Sequence, residues 1–330
     1  DVYVLGHDPN GLYLHKADGI VDVRIHQTSQ HFQNGRVLFL VCFLIMSAIF
    51  LLSEPLSIFG QKAVVLTFDD GWKNQMSNAV PIMEKYDFRA TFFIVCNYVD
   101  KEGRMTWEDI SGLDKLGYDI QSHTMNHKDL TKLSSEDLEY EVGNSKQCLL
   151  EHGFPNSTIF ATPFNAGWNN ATVVNVTAKY YDMGRSGNGE PMFLDCGKYT
   201  KDQKDCRTFY DNGTLTFANK YTIKGWSHNF YDKKYAHDTN RILEEFIRVV
   251  ERQTRYNTNQ TFEALPVIIY HKVDTASNDS GTTTTELFEK EMQYLHDNGF
   301  EVITMSDLHY DTKANRFYAP ALGINDLKAR

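Results

Sequence analysis

Two carboxylates stand side by side where an apolar run stops. Ala63 to Phe68 leads directly into Asp69, Asp70 and Gly71. Farther along, a second strand-like run, Tyr118 to Gln121, is followed by His123 and His127 in a His-x-x-x-His spacing. An apolar run closed by glycine reads as a buried strand ending in a turn. In parallel α/β sheets the chemistry gathers at the carboxyl ends of strands. Two histidines and one aspartate form a common three-ligand set for a catalytic metal with an open position. The other aspartate is left beside that metal as a candidate base. Taken singly, each half has a plainer reading: Asp-Asp-Gly as a solvated turn, His-x-x-x-His as two surface histidines. Their order, with a strand leading into each, favours the site.

The elements that must position these residues alternate. Strand-like runs are expected at Ala63–Phe68, Ala90–Val95, Tyr118–Gln121, Thr158–Ala161, Tyr221–Trp226, Leu265–Tyr270 and Glu301–Thr304. Helices are expected between them, at Ala171–Tyr181, Thr239–Gln253 and Leu287–Asn298. Another runs from Ser134 to His152, with Leu138, Val142, Cys148 and Leu149 as its inner face. Strand–helix repetition implies a parallel sheet. Residues 182–220 break the pattern and read as an inserted loop or small hairpin near the site. Residues 311–330 read as a tail.

The motifs resemble those of the polysaccharide deacetylase family (NodB-like, carbohydrate esterase family 4), over residues 62 to 310. Thr67-Phe68-Asp69-Asp70-Gly71 is similar to the family's first motif and His123-Thr124-Met125-Asn126-His127 to its second. Met105-Thr106-Trp107 looks like the segment before the histidines. Phe160-Ala161-Thr162-Pro163-Phe164-Asn165 looks like the third motif, and Val267 to His271 like the last. The resemblance implies an α/β fold, a distorted and incomplete (β/α) barrel. It implies that Asp69 is the catalytic base, that Asp70, His123 and His127 hold one divalent metal ion, most often Zn2+, and that His271 is the acid. Pro163 and Phe164 would lie at the oxyanion, with Phe164 next to the backbone N–H groups that stabilise it. Ile269 and Trp226 would wall the acetyl methyl. The implied reaction removes N-acetyl groups from a glycan.

The chain departs from the family's pattern at two places. The third motif's arginine, which orients the base, is Ala161 here, and its glycine is Asn165. The fourth motif is not recognisable, Trp226 being the nearest match to its Trp. Arg185, in a glycine-flanked segment, is the candidate replacement for the missing guanidinium, since its planar fork can grip a carboxylate; a solvated loop arginine is the competing reading.

Of the 330 residues, 33 are basic and 43 acidic, so no basic excess exists to neutralise phosphates and nucleic acid is excluded as a partner. Val37 to Leu52 is a continuous apolar run, polar only at Ser47, and reads as a signal-peptide core or an uncleaved membrane anchor. The expected organisation is an N-terminal arm (1–36), a signal or anchor (37–60), a catalytic domain (61–310) and a tail (311–330), acting as a monomer. Asn-x-Ser/Thr sequons at Asn156, Asn170, Asn175, Asn212, Asn259 and Asn278 all follow the apolar run. They point to a glycosylated, extracytoplasmic domain, secreted or membrane-anchored. Cys196 and Cys206 are expected to form a local disulfide there; Cys96 and Cys148, in apolar runs, read as buried free thiols. Three other functions stand beside the deacetylase: an amidase for a small non-sugar amide, a glycan-binding module with a decayed site, and a structural envelope protein. The five residues Asp69, Asp70, His123, His127 and His271 speak against the last two, the apolar run and sequons against the first.

Overall fold

The computed structural model describes residues 62–187, 189, 191–195, 198, 219–228, 234–235, 238–258, 261–276, 281–314 and 316–323, with the backbone of residues 3–8 and 11–16. The chain forms two units, 1–58 and 59–330. In the first, β1 (Tyr3–Asp8) and β2 (Gly11–Lys16) pair as an antiparallel hairpin. The apolar run Val37–Leu52 lies outside the described residues. Among those described, no helix is long and apolar enough to cross a membrane.

The second unit is built on an eight-stranded parallel sheet. Its strands are β3 (Ala63–Asp69), β4 (Thr91–Ile94), β5 (Asp119–Ser122), β6 (Ile159–Ala161) and β7 (Met183–Arg185). After β8 (Met192–Phe193), which lies outside this sheet, come β9 (Trp226–Ser227), β11 (Val267–Tyr270) and β14 (Glu301–Ile303); β10 (Ala264–Leu265) pairs antiparallel with β8, and β12 (Lys272–Asp274) pairs parallel with β13 (Thr282–Thr284). The order is β7-β6-β5-β4-β3-β11-β9, with β14 also on β3. Between the two ends, β7 and the segment leading into β9 are joined by the isolated parallel bridge Arg185↔Ile223. The sheet is a distorted, incomplete (β/α) barrel.

Successive side chains on a strand point to opposite faces, and this alternation sorts the whole domain. On β3, Val64, Leu66 and Phe68 face outward into a core shared with the helices, while Ala63 and Val65 face an inner cluster. Phe68 anchors the outer side: it stacks on Phe92 and Tyr270 at 5.0 and 5.4 Å and meets Phe288 edge-on. Truncating such a ring to alanine costs about 3–5 kcal/mol, so the residue beside Asp69 is held hard. The same parity carries Asp69, His123, Ala161, Arg185, Ser227, Ile269 and His271 toward the inner side.

The helices covering the sheet begin either at polar caps or as continuations of wide turns. α1 (Val80–Glu84) follows a wide helical turn, Gln75–Ala79; α2 (Trp107–Lys115) starts in a Thr106–Asp109 capping box. The expected Ser134–His152 helix is real but interrupted: α3 (Ser135–Glu139) and α4 (Ser145–Glu151) flank a wide turn at Tyr140–Asn144. α5 (Ala171–Tyr180), α6 (Thr239–Glu251) and α7 (Thr285–Asp297) complete the set.

Three expectations are corrected. The 182–220 segment is not wholly an insertion, because Met183–Arg185 pairs with β6 along Ile159↔Met183 and Ala161↔Arg185. Three residues with a central glycine show no strand periodicity, so only the sheet edge reveals them. Residues beyond 310 are not simply a tail: Arg316–Tyr318 pairs with His309–Asp311, and Phe317 and Leu322 are buried in the inner cluster. Cys96 and Cys148 are not free thiols but a disulfide joining the loop after β4 to α4, with Cα atoms 6.6 Å apart. Cys196 and Cys206 lie outside the described residues. Non-reducing peptide maps are expected to recover Cys96 linked to Cys148. Cys148→Ser is expected to lower stability by about 2–4 kcal/mol, since the bridge closes a long loop; two freely alkylated cysteines in native protein would contradict the pairing.

Candidate metal-dependent active site

Asp69 ends β3 and Asp70 begins the turn, with φ of +76°. That left-handed step turns the second carboxylate away from the strand's alternation, so both acids reach one cavity. The cavity, about 440 Å³, is lined by Asp69, Asp70, His123, His127, Thr162, Phe164, Asn165, Ser227, Ile269 and His271. Among the described residues Thr124, His127, Phe164 and Asn165 also have φ between +55° and +73°. Asn is one of the few side chains that tolerates this region, which explains how position 165 dispenses with glycine.

The adjacent aspartates have different partners. Asp69, 3% exposed, forms a buried ion pair with the Arg185 guanidinium through Oδ1. That guanidinium also lies over the Phe93 ring at 4.7 Å. Burial works to raise the Asp69 pKa, but Arg185, then His123 and His271, outweigh it and hold the carboxyl below its ordinary value. Asp70 instead accepts from Trp72 Nε1 through Oδ2 at 3.1 Å, and its carbonyl accepts from Arg104 at 2.8 Å. Arg104 is stacked on the Trp72 ring, 3.2 Å from its centroid.

The histidines are aimed by their other nitrogens. His123 Nδ1 lies 2.8 Å from the Ala161 carbonyl, which can only accept, so Nδ1 carries the proton and Nε2 offers its lone pair. Burial lowers the His123 pKa to about 4, against the raising influence of Asp69 and Asp70, so the ring is neutral near pH 7. Burial likewise lowers that of His127. The loop between them is fixed from behind by Glu141, fully buried on the wide turn of the α3–α4 helix, which accepts from the backbone and side-chain N–H of Asn126. The disulfide's loop braces it too: Cys96 and Asn97 donate to the carbonyls of Thr124 and Met125.

Asp70 Oδ1 lies 3.3 Å from His127 Nε2 and 3.7 Å from His123 Nε2, and the three ligand atoms all fall within 4.8 Å of one another. That oxygen is buried with no hydrogen-bond partner. A bare anionic acceptor between two neutral imidazole nitrogens is satisfied by a cation, so the residues present fit a divalent ion.

Most of the residues expected from the sequence therefore meet at one cavity. Arg185 touches Asp69 without lining the open space, and Pro163 is buried behind Phe164. Trp226 is corrected: it points outward, packing against His228 and Phe246, and the next residue, Ser227, reaches the cavity instead. A strand shifted by one residue exchanges its faces, and β9 begins at Trp226 rather than ending there. Trp72, Arg104 and Glu141 escaped the sequence reading. Only the abutment of Trp72 on the Asp-Asp-Gly turn could have drawn notice; Glu141 reads as one more helical acid.

Residues 57–183 match the family model described as polysaccharide deacetylase. YxkH of Bacillus subtilis (strain 168), a protein named for the same family, is 27% identical over 139 residues, 42% of this chain and 50% of its own length. A chitooligosaccharide deacetylase of Azorhizobium caulinodans is 30% identical over 125 residues, 36% of this chain and 55% of the relative. A peptidoglycan-N-acetylglucosamine deacetylase of Bacillus cereus is 27% identical over 120 residues, covering 33% and 54%. The chain thus spans about half the length of these relatives. For the site itself, one divalent ion per chain is expected by elemental analysis, lost in Asp70→Ala and His123→Ala and kept in Asp69→Asn. Equal metal loss in Asp69→Asn would refute the division of labour between the neighbours.

Proposed function

From the match of residues 57–183 to the polysaccharide deacetylase family, we propose that this chain hydrolyses N-acetyl groups of an N-acetylated glycan, in a metal-dependent reaction outside the cytoplasmic membrane. The observation that carries this reading is the split between the two aspartates: one tied to an arginine, the other facing two neutral imidazoles, with His271 across the same cavity.

The roles follow from the partners. Asp70, His123 and His127 would hold the ion, and their two-nitrogen, one-oxygen donor set suits Zn2+. When bound there, a divalent cation polarises the amide carbonyl and makes water more acidic. Asp69 accepts the attacking water's proton; its ion pair with Arg185 keeps it ionised and keeps it from swinging in as a fourth ligand. The left-handed Phe164–Asn165 turn forms the wall on which backbone donors meet the oxyanion. His271 gives its proton to the departing amine, and Ile269 with Ser227 flanks the acyl group.

The location rests on three supports. A disulfide at Cys96–Cys148 suits an oxidising compartment. The relatives named above act, by their names, on chitooligosaccharide and peptidoglycan. Of the sequons, Asn156 is exposed, and Asn170 and Asn175 are partly so; Asn212, Asn259 and Asn278 lie outside the described residues. Residues 37–52 would supply the export signal or anchor.

Acetate release from N-acetylglucosamine oligomers and from peptidoglycan, abolished by a chelator and restored by Zn2+, is the test; no release from either, with metal bound, would overturn the reading. Arg185→Ala is expected to lower kcat with metal content unchanged. It also moves the acid limb of the rate profile to higher pH, because the base works deprotonated and the guanidinium that favours that form is gone. The same change leaves a buried carboxylate unanswered, at a cost of about 3–5 kcal/mol, so melting is followed alongside.

A further inference from the structure

The hydrogen-bonded pairing of β3 with β11 ends at Phe68↔Tyr270. The base and the acid are the next residue on each strand, beyond the ladder, where the strands no longer hold one another in register. One side chain takes over there. Gln75, fully buried on the wide turn after the Asp-Asp-Gly motif, donates from Nε2 to the Asp69 carbonyl at 2.6 Å and to the His271 carbonyl at 2.8 Å. Its Oε1 is buried without a partner. The amide cannot be turned over, since that would set its oxygen against two carbonyl oxygens. Two more carboxamides, one on the same turn and one just before it, grip the chain that follows the acid. Asn78 Nδ2 donates to the Val273 carbonyl at 2.9 Å, and Asn74 Nδ2 to Asp274 Oδ2 at 3.2 Å.

We propose that Gln75 is a positioning residue, supported by Asn78 and Asn74, that clamps the strand ends bearing Asp69 and His271 and so sets the distance between base and acid. This rests on the deacetylase reading, and on nothing about the ion. Nothing in the sequence motif requires an amide at these positions. The device works because one NH2 group carries two hydrogens, one for each strand, and because the turn that carries it is continuous with the base's own loop.

The test compares Gln75→Leu, which removes both donors at similar volume, Asn78→Ala and the wild type. Each is assayed as kcat and KM per mole of folded, metal-loaded protein, with hydrogen exchange across residues 269–274. Gln75→Leu is expected to lower kcat about 10- to 100-fold, the scale of a small misplacement of reacting groups, with KM and metal content held within about two-fold of wild type on the same reasoning. Exchange at the His271–Asp274 backbone should quicken. Asn78→Ala, half-buried and milder, should show the same split to a smaller extent, and decides the matter if Gln75→Leu fails to fold. A residue that merely stabilised the fold would lower the melting temperature and leave kcat per folded molecule intact; that result, with unchanged exchange, overturns the clamp. The wild-type rate alone tests the deacetylase reading, and the exchange data test the clamp without substrate.

Discussion

Burying a carboxylate is costly unless a charge answers it, and Asp69 is answered first by Arg185, which forms a buried ion pair with it. The rest of the site depends on that pairing. Two adjacent aspartates at one cavity would repel each other and compete for the same cation. Committing one to a guanidinium through Oδ1 leaves the other as the carboxylate within reach of both histidines, while Asp69 Oδ2 lies 3.8 Å from His123 alone. The neighbours are chemically identical, and their separate fates come from what lies opposite each: an arginine on β7 for one, an indole and two imidazoles for the other.

The frame around this pair is stiff where the chemistry is and irregular where the chain must turn. Most of the left-handed non-glycine residues described, Asp70, Thr124, His127, Phe164 and Asn165, belong to the three loops that meet at the cavity. Such conformations persist only when the surroundings over-determine them. Here the surroundings do so: Arg104 holds the Asp70 carbonyl, Thr124 Oγ1 accepts from His127 N–H, and Glu141 holds Asn126. Glu141 reaches that loop from a wide helical turn, a distortion often found beside functional sites.

How much of this was legible in the sequence follows from what each signal is made of. The long runs Ala63–Phe68 and Leu265–Tyr270, and the helices near residues 239 and 287, were readable because burial on both faces or a helical stripe leaves a lasting pattern. The histidine and aspartate spacing was readable because ligand chemistry limits the choice of residue. β7 and β9 were not, being three and two residues long and defined by pairing rather than by composition. Trp226 was misplaced for the same reason, since a boundary error of one residue reverses a strand's faces. The Cys96–Cys148 bridge is invisible in the sequence because two cysteines in apolar runs look alike whether joined or free.

Arg185 stands directly beside Ala161 in the β6–β7 register, both pointing to the inner side. Side chains so paired share one volume, and the methyl at 161 is what leaves room for the guanidinium from 185. The two positions behave as a single locus with two addresses: the guanidinium can be supplied from either strand, but the space admits one. Substituting arginine at 161 while keeping Arg185 would crowd two cations into the place of one. A search that demands arginine at position 161 would therefore pass over a site whose guanidinium stands one strand sideways, at 185.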